Sequence, residues 1–170
     1  MIARLSCAVV LTLALAAGAA SAQTAKAVLK NADGATVGSA ELTQVSDGVL
    51  IHLTAKGLPA GEHAFHVHAV GKCEPPFTTA GGHFNPDSHK HGMMAADGHH
   101  AGDMPNLIVP ASGEVAIEVV NTAVTLAKDK PNSLFKPDGT ALIIHAGADD
   151  YKSDPAGNAG ARIACGVIEP

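Results

Sequence analysis

The chain has no excess of positive charge, no convincing membrane span, no long amphipathic helical pattern, no internal repeat and few cysteines. Each absence excludes something. With 11 lysines and arginines against 16 aspartates and glutamates, the 170-residue chain carries a net charge of −5 at pH 7. Nothing in that balance favours nucleic acid or an anionic membrane as partner. Val9 to Ala17 is apolar but too short and too alanine-rich to cross a bilayer, which takes about 20 residues. Preceded by Arg4 and followed by the small-x-small triplet Ala20-Ser21-Ala22, it reads as a secretory signal over 1–22, with Gln23 as the mature start. Cys7 stands before the apolar run, where a lipid anchor does not fit. The mature chain, 23–170, has room for one domain with a sizeable core but not for two, and loss of Arg4 takes its charge from −5 to −6.

Removal of the leader leaves two cysteines, Cys73 and Cys165. In an exported chain these are expected to pair, closing a loop of about ninety residues that ties the middle of the chain to its last strand. Short β-prone runs separated by turn signals make up most of the rest. They are Ala27 to Lys30, Ala35 to Val45, Val49 to Lys56, Glu62 to Val70, Asn106 to Val109, Glu114 to Val120, Thr140 to His145 and Ala161 to Ile168. Thr125 to Phe135 has room for a helical turn, limited by Pro131. About eight strands with glycine turns imply an all-β fold, an antiparallel sandwich or barrel.

What is plentiful is histidine. From Gly71 to Pro105 the chain shows no strand or helix pattern, yet it holds His83, His89, His91, His99, His100 and Asp103. Compact domains rarely keep so long a structureless loop without a function, and imidazoles beside a carboxylate suit a divalent metal. His83, His91, His100 and Asp103 offer three nitrogens and one oxygen, a closed tetrahedral set of the structural zinc kind. A second set lies on strands. His66 and His68 are two apart and so share a face, and His145 ends the apolar run Ala141-Leu142-Ile143-Ile144. Three strand-borne histidines suit copper. Spacing alone leaves open to which set His83 belongs.

Phe65-His66-Val67-His68, Gly82-His83-Phe84-Asn85-Pro86, Lys90-His91-Gly92, His100-Ala101-Gly102-Asp103 and the stretch Gly157-Asn158-Ala159-Gly160-Ala161-Arg162-Ile163-Ala164-Cys165-Gly166-Val167-Ile168 resemble the copper/zinc superoxide dismutase family, in its bacterial periplasmic form. The resemblance runs from about Ala27 to Ile168. It implies an eight-stranded Greek-key barrel with a long metal-binding loop and a shorter electrostatic loop over Gly147 to Gly160. It also implies dismutation of superoxide to dioxygen and hydrogen peroxide by a copper cycling between Cu(II) and Cu(I). By position, His66, His68, His83 and His145 would hold one copper per chain. His83, His91, His100 and Asp103 would hold one zinc, so that His83 bridges the two. Asp149 would join His66 to His91, and Arg162 would hold the anionic substrate beside copper, with Lys152 a further cation in the short loop.

Ala64 stands where the family usually has glycine, and His52, His63, His89 and His99 match no ligand position; His63 is expected to bond backbone near the copper strand. Two other functions compete. A periplasmic copper- or zinc-binding protein without catalysis needs exchangeable ligands, which a closed zinc set and an anion-holding arginine do not supply. A zinc hydrolase needs a nearby glutamate base, and the loop holds none beyond Glu74. The strand faces leave room for a homodimer, and after loss of the leader no membrane contact is expected.

Overall fold

The computed structural model describes residues 22–170. The leader expected over 1–22 lies, but for Ala22, outside the described residues. Nine strands appear in chain order: β1 (Thr24–Lys30), β2 (Thr36–Val45), β3 (Gly48–Ala55), β4 (Gly61–His63), β5 (Phe65–His68), β6 (Leu107–Val109), β7 (Val115–Asn121), β8 (Ala141–His145) and β9 (Arg162–Val167). Among the described residues the one helical element is a 3₁₀ turn at Thr78–Ala80, and the 125–135 stretch is turns closed by a bridge between Thr125 and Ser133. Seven strands form one antiparallel sheet in the order β5-β8-β9-β1-β2-β3-β7, and β4 pairs with β6 in a second.

The eight apolar runs all become strands, and one of them is divided. Ala64 separates β4 from β5 because its N–H donates to Gly147 O (2.8 Å) and its carbonyl accepts from His145 N (2.9 Å). The chain thereby leaves the β4–β6 pair and joins β8. Its methyl group is fully buried, on a backbone of ordinary negative φ that has no need of glycine.

Alternation puts Leu29, Leu42, Ile51, Leu53, Val67 and Ile144 into a single core, around which the large sheet curls. Each such side chain contributes about 1.5–3 kcal/mol on burial. The outer face is solvent-exposed over β1, β2, β3 and β7, but not over β5 and β8, where every residue is buried. A second apolar cluster of Phe77, Ala80, Ala141, Ile143 and Cys165 lies there, and Cys73 packs on it. The Cys73–Cys165 disulfide bolts the start of the long loop onto this outer face. One end of the molecule thus has strands roofed by loop, and the histidines lie beneath that roof.

Candidate metal centre

His66 and His68 point to the outer face of β5, opposite Phe65 and Val67 in the core. β5 pairs with β8 in the register His66↔Ile143 and His68↔Ala141, so His145 at the end of β8 lies on the same face. The long loop then returns along β5 twice. His68 bridges His83, His66 bridges Asp103, Phe84 N donates to Val67 O (2.9 Å) and Val67 N to Gly102 O (2.9 Å). These backbone bonds, not the ligands themselves, hold the loop against the strand. His91 and His100 follow on the same loop.

All seven side chains meet in two groups of four, His66, His68, His83 and His145, and His83, His91, His100 and Asp103. Within each group the candidate ligand atoms lie within 4.8 Å of one another. His83 belongs to both: its ring centroid is 4.0 Å from that of His66, 4.9 Å from His68, 5.0 Å from His91 and 5.4 Å from His100.

Ring orientation is set from behind. His66 Nε2 donates to Asp149 Oδ2 (2.7 Å), His91 Nε2 to Asp149 Oδ1 (2.9 Å), His68 Nδ1 to Gly81 O (2.9 Å) and His145 Nδ1 to Gly160 O (3.3 Å). Each acceptor fixes the proton on one ring nitrogen and leaves the other nitrogen's lone pair facing inward, the usual way a protein prepares imidazole for a metal. Three inward atoms, His66 Nδ1, His83 Nε2 and His100 Nδ1, are buried and have no hydrogen-bond partner. An orphaned buried polar atom costs about 1–3 kcal/mol, so three in one place call for a cation.

The spacing fits one. Ligands about 2.05 Å from a tetrahedral ion are about 3.3 Å from each other. Asp103 Oδ1 is 2.7 Å from His83 Nδ1, 3.2 Å from His91 Nδ1 and 3.4 Å from His100 Nδ1, while its Oδ2 is occupied by the N–H groups of Gly92 (2.9 Å) and His100 (3.1 Å). In the other group, His68 Nε2 and His145 Nε2 are 3.4 Å apart.

Burial keeps the rings of His83, His145 and His68 neutral. It pushes His83 down to about 4 and His145 to about 3, and holds His68 well below the usual histidine range. Burial acts upward on Asp149, but bonds from His66 and His91 outweigh it and hold that carboxyl at about 2. The same contest leaves Asp103 well below the carboxylate range, through His100, His83 and the Gly92 N–H. Neutral imidazoles and ionised carboxylates are the states a divalent metal needs. Gly157, at φ 63°, passes so close to this network that a Cβ there would overlap Asp149 Oδ1.

Arg162 arrives by a slip in the β8–β9 ladder. His145 faces Arg162 and Ile144 faces Ala164, so Ile163 is passed over and packs against the core while Arg162 turns to the outer face. There Nη1 donates to Phe77 O and Nη2 to Gly81 O, both at 2.6 Å, and the side chain stays half-buried. Of the other histidines, His63 is buried with its ring nitrogens 2.8 Å from His145 O and 2.9 Å from Pro59 O, and His52 sits on the exposed sheet face near Glu118. His89 and His99 lie in the loop outside both groups, making bonds to neighbouring carbonyls.

Sequence reasoning missed the Gly81 carbonyl, which anchors both His68 and Arg162, and Asn106, whose side chain bonds both backbone groups of Asp149. A carbonyl leaves no mark in a sequence, and Asn106 carries no motif; its one signal is its place three residues after Asp103.

Residues 36–168 match the family model described as copper/zinc superoxide dismutase. The chain is 58% identical over 146 residues to superoxide dismutase [Cu-Zn] 2 of Aquifex aeolicus, covering 85% of each. It is 43% identical over 149 residues to the superoxide dismutase [Cu-Zn] of Caulobacter vibrioides, again over 85% of each. A crystal structure of a SOD-like protein from Bacillus subtilis superposes with a TM-score of 0.81 at 41% identity, over 84% of this chain and 96% of that one. The chain belongs to the copper/zinc superoxide dismutase family.

Proposed function

We propose that this protein dismutates superoxide, two anions and two protons giving dioxygen and hydrogen peroxide, with copper held by His66, His68, His83 and His145 and zinc by His83, His91, His100 and Asp103. The observation that carries this is the pair of four-atom sets sharing the His83 ring, each backed by fixed acceptors. When bound, copper supplies the one-electron exchange with superoxide, and zinc supplies fixed positive charge at His83 Nδ1.

The chain's own groups do the rest. Arg162 presents a permanent cation beside His68 and His145, suited to orienting a small anion. Its two carbonyl bonds stop it from swinging into solvent. His83 Nε2 faces the copper set and is the atom placed to take up a proton and give it to the departing peroxide, while Nδ1 stays on the Asp103 side. Asp149 grips one ring from each set, so the two sites cannot move independently.

Purified protein loaded with both metals should hold one copper and one zinc per chain and consume superoxide catalytically. Two metals with no consumption beyond that of free copper would leave only a binding protein, a function no feature of the site favours. Export to the periplasm is part of the same proposal. It is supported by Arg4, the Val9–Ala17 run and Ala20-Ser21-Ala22, and by a disulfide that suits an oxidising compartment. Mass spectrometry of the mature chain should find Gln23 first. Among the described residues no helix is long and apolar enough to cross a membrane.

A further inference from the structure

Asp149 lies in the loop between β8 and β9, 83 residues from His66 and 58 from His91 in sequence, yet its carboxylate must meet both rings at once. Ordering loop backbone costs conformational entropy at every residue, so contacts besides those to its two targets are needed to hold it. Asn106 does so from the opposite side. Its Nδ2 donates to Asp149 O (3.0 Å) and its Oδ1 accepts from Asp149 N (2.8 Å), a two-point clamp that copies a strand pairing with a side-chain amide. Asn106 is itself anchored, because β6 begins at the next residue and buries Leu107 and Val109 in the core.

Tyr151 closes the arrangement. Its hydroxyl accepts from Asn106 N (2.7 Å), its own N–H donates to Asp149 Oδ1 (2.7 Å), and its carbonyl accepts from Met94 N (3.1 Å). Gly92, next to His91, sits at φ 103° against that same carbonyl, so close that a Cβ would overlap it. Tyr151 has φ 61°, a left-handed conformation that is strained for a bulky residue and persists only when its surroundings impose it.

We propose that Asn106 and Tyr151 are positioning residues that form a latch between the two loops, holding Asp149 where it can orient His66 and His91 together and so setting how tightly the zinc-side ligands keep their metal. The proposal rests on the zinc reading of His83, His91, His100 and Asp103. The molecule supplies its own control. Asn85 makes an equivalent two-point clamp in the same loop, Nδ2 to His89 O (2.8 Å) and Oδ1 from His89 N (3.0 Å), but ends on a residue outside both ligand sets.

Zinc transfer to a chelator, followed from the copper- and zinc-loaded protein, tests the latch. Asn106→Ala should release zinc on the order of tenfold faster than wild type. Tyr151→Phe, which keeps the ring and loses only the hydroxyl, should be roughly three- to tenfold faster, the size of one lost hydrogen bond. Asn85→Ala should match wild type. The Cu(II) paramagnetic resonance spectrum should shift in Asn106→Ala, through His66, and superimpose on wild type in Asn85→Ala; general loosening of the loop would not separate the two. Wild-type release from both Asn106→Ala and Tyr151→Phe overturns the proposal, as does equal acceleration in Asn85→Ala. If Asn106→Ala does not fold, Tyr151→Phe decides. A wild-type protein that takes up no zinc overturns the zinc reading and the latch with it, a failure told apart by metal content.

Discussion

Arg162 is one residue beyond a slip in a strand ladder, and that slip is what carries its guanidinium from the core side to the metal side. A cation so placed matters most when the rest of the surface repels the substrate. Arg162→Ala should keep both metals, lose on the order of tenfold in superoxide consumption at low ionic strength, and respond less to added salt than wild type. An unaltered rate at physiological salt would remove the arginine from the mechanism. Asp149 works at one remove, through the rings of His66 and His91. Asp149→Asn cannot accept from both as an ionised group does, and should weaken zinc retention by about 10–100-fold in competition titrations. At this scale the ligand types were readable because few chemistries need His-x-His on a strand and four more donors in one loop. Of the acceptors behind the rings, Asp149 was implied by the family resemblance, but the carbonyls of Gly81 and Gly160 were not legible, since the side chains of those residues say nothing.

Among the elements, β8 departs from simple alternation. Ala141-Leu142-Ile143-Ile144-His145 is buried throughout, with Leu142 and Ile144 in the main core and Ala141 and Ile143 under the disulfide-tied loop. Ile143→Ala should therefore cost about 2–5 kcal/mol, a core-sized loss from the outer face of a sheet, measurable as a shift in urea midpoint. The disulfide spans 92 residues, and replacing both Cys73 and Cys165 by serine should cost about 2–5 kcal/mol and lower the melting temperature of the loaded protein. Because Phe77 O and Gly81 O lie just beyond Cys73, the same variant should bind Arg162 more loosely and show a weaker salt dependence of rate. The eight β-prone runs were legible from alternation and turn residues. The break at Ala64 was not, because it comes from backbone bonds to Gly147 and His145, partners more than eighty residues away.

For the molecule as a whole, a net charge of −5 opposes an anionic substrate, and Arg162 places a positive charge at the metal end against it. Acid sensitivity is also a property of the whole, since buried groups of both kinds act with one sign. In the metal-free protein, burial holds His83 to about 4 and His145 to about 3 against 6.5 in the unfolded chain. The unfolded chain then binds protons the folded one refuses, so stability is complete above about 6.5 and is lost as pH falls through that window. Asp149, held at about 2 against 3.8, continues the loss at lower pH. The melting temperature of metal-depleted protein should fall steadily from about pH 7 to about pH 4; a flat profile would mean the rings are not buried as described. By itself the sequence determined the kind of fold, the cysteine pair and which side chains could bind metal, because strand period, turn chemistry and ligand type are local properties. The family resemblance implied a shared His83 ring and a carboxylate spanning the two sets, and the tertiary structure decided the distances at which they meet; only that structure decided that an asparagine and a tyrosine hold the carboxylate. Those depend on distances between residues far apart in the chain, which packing alone brings within reach.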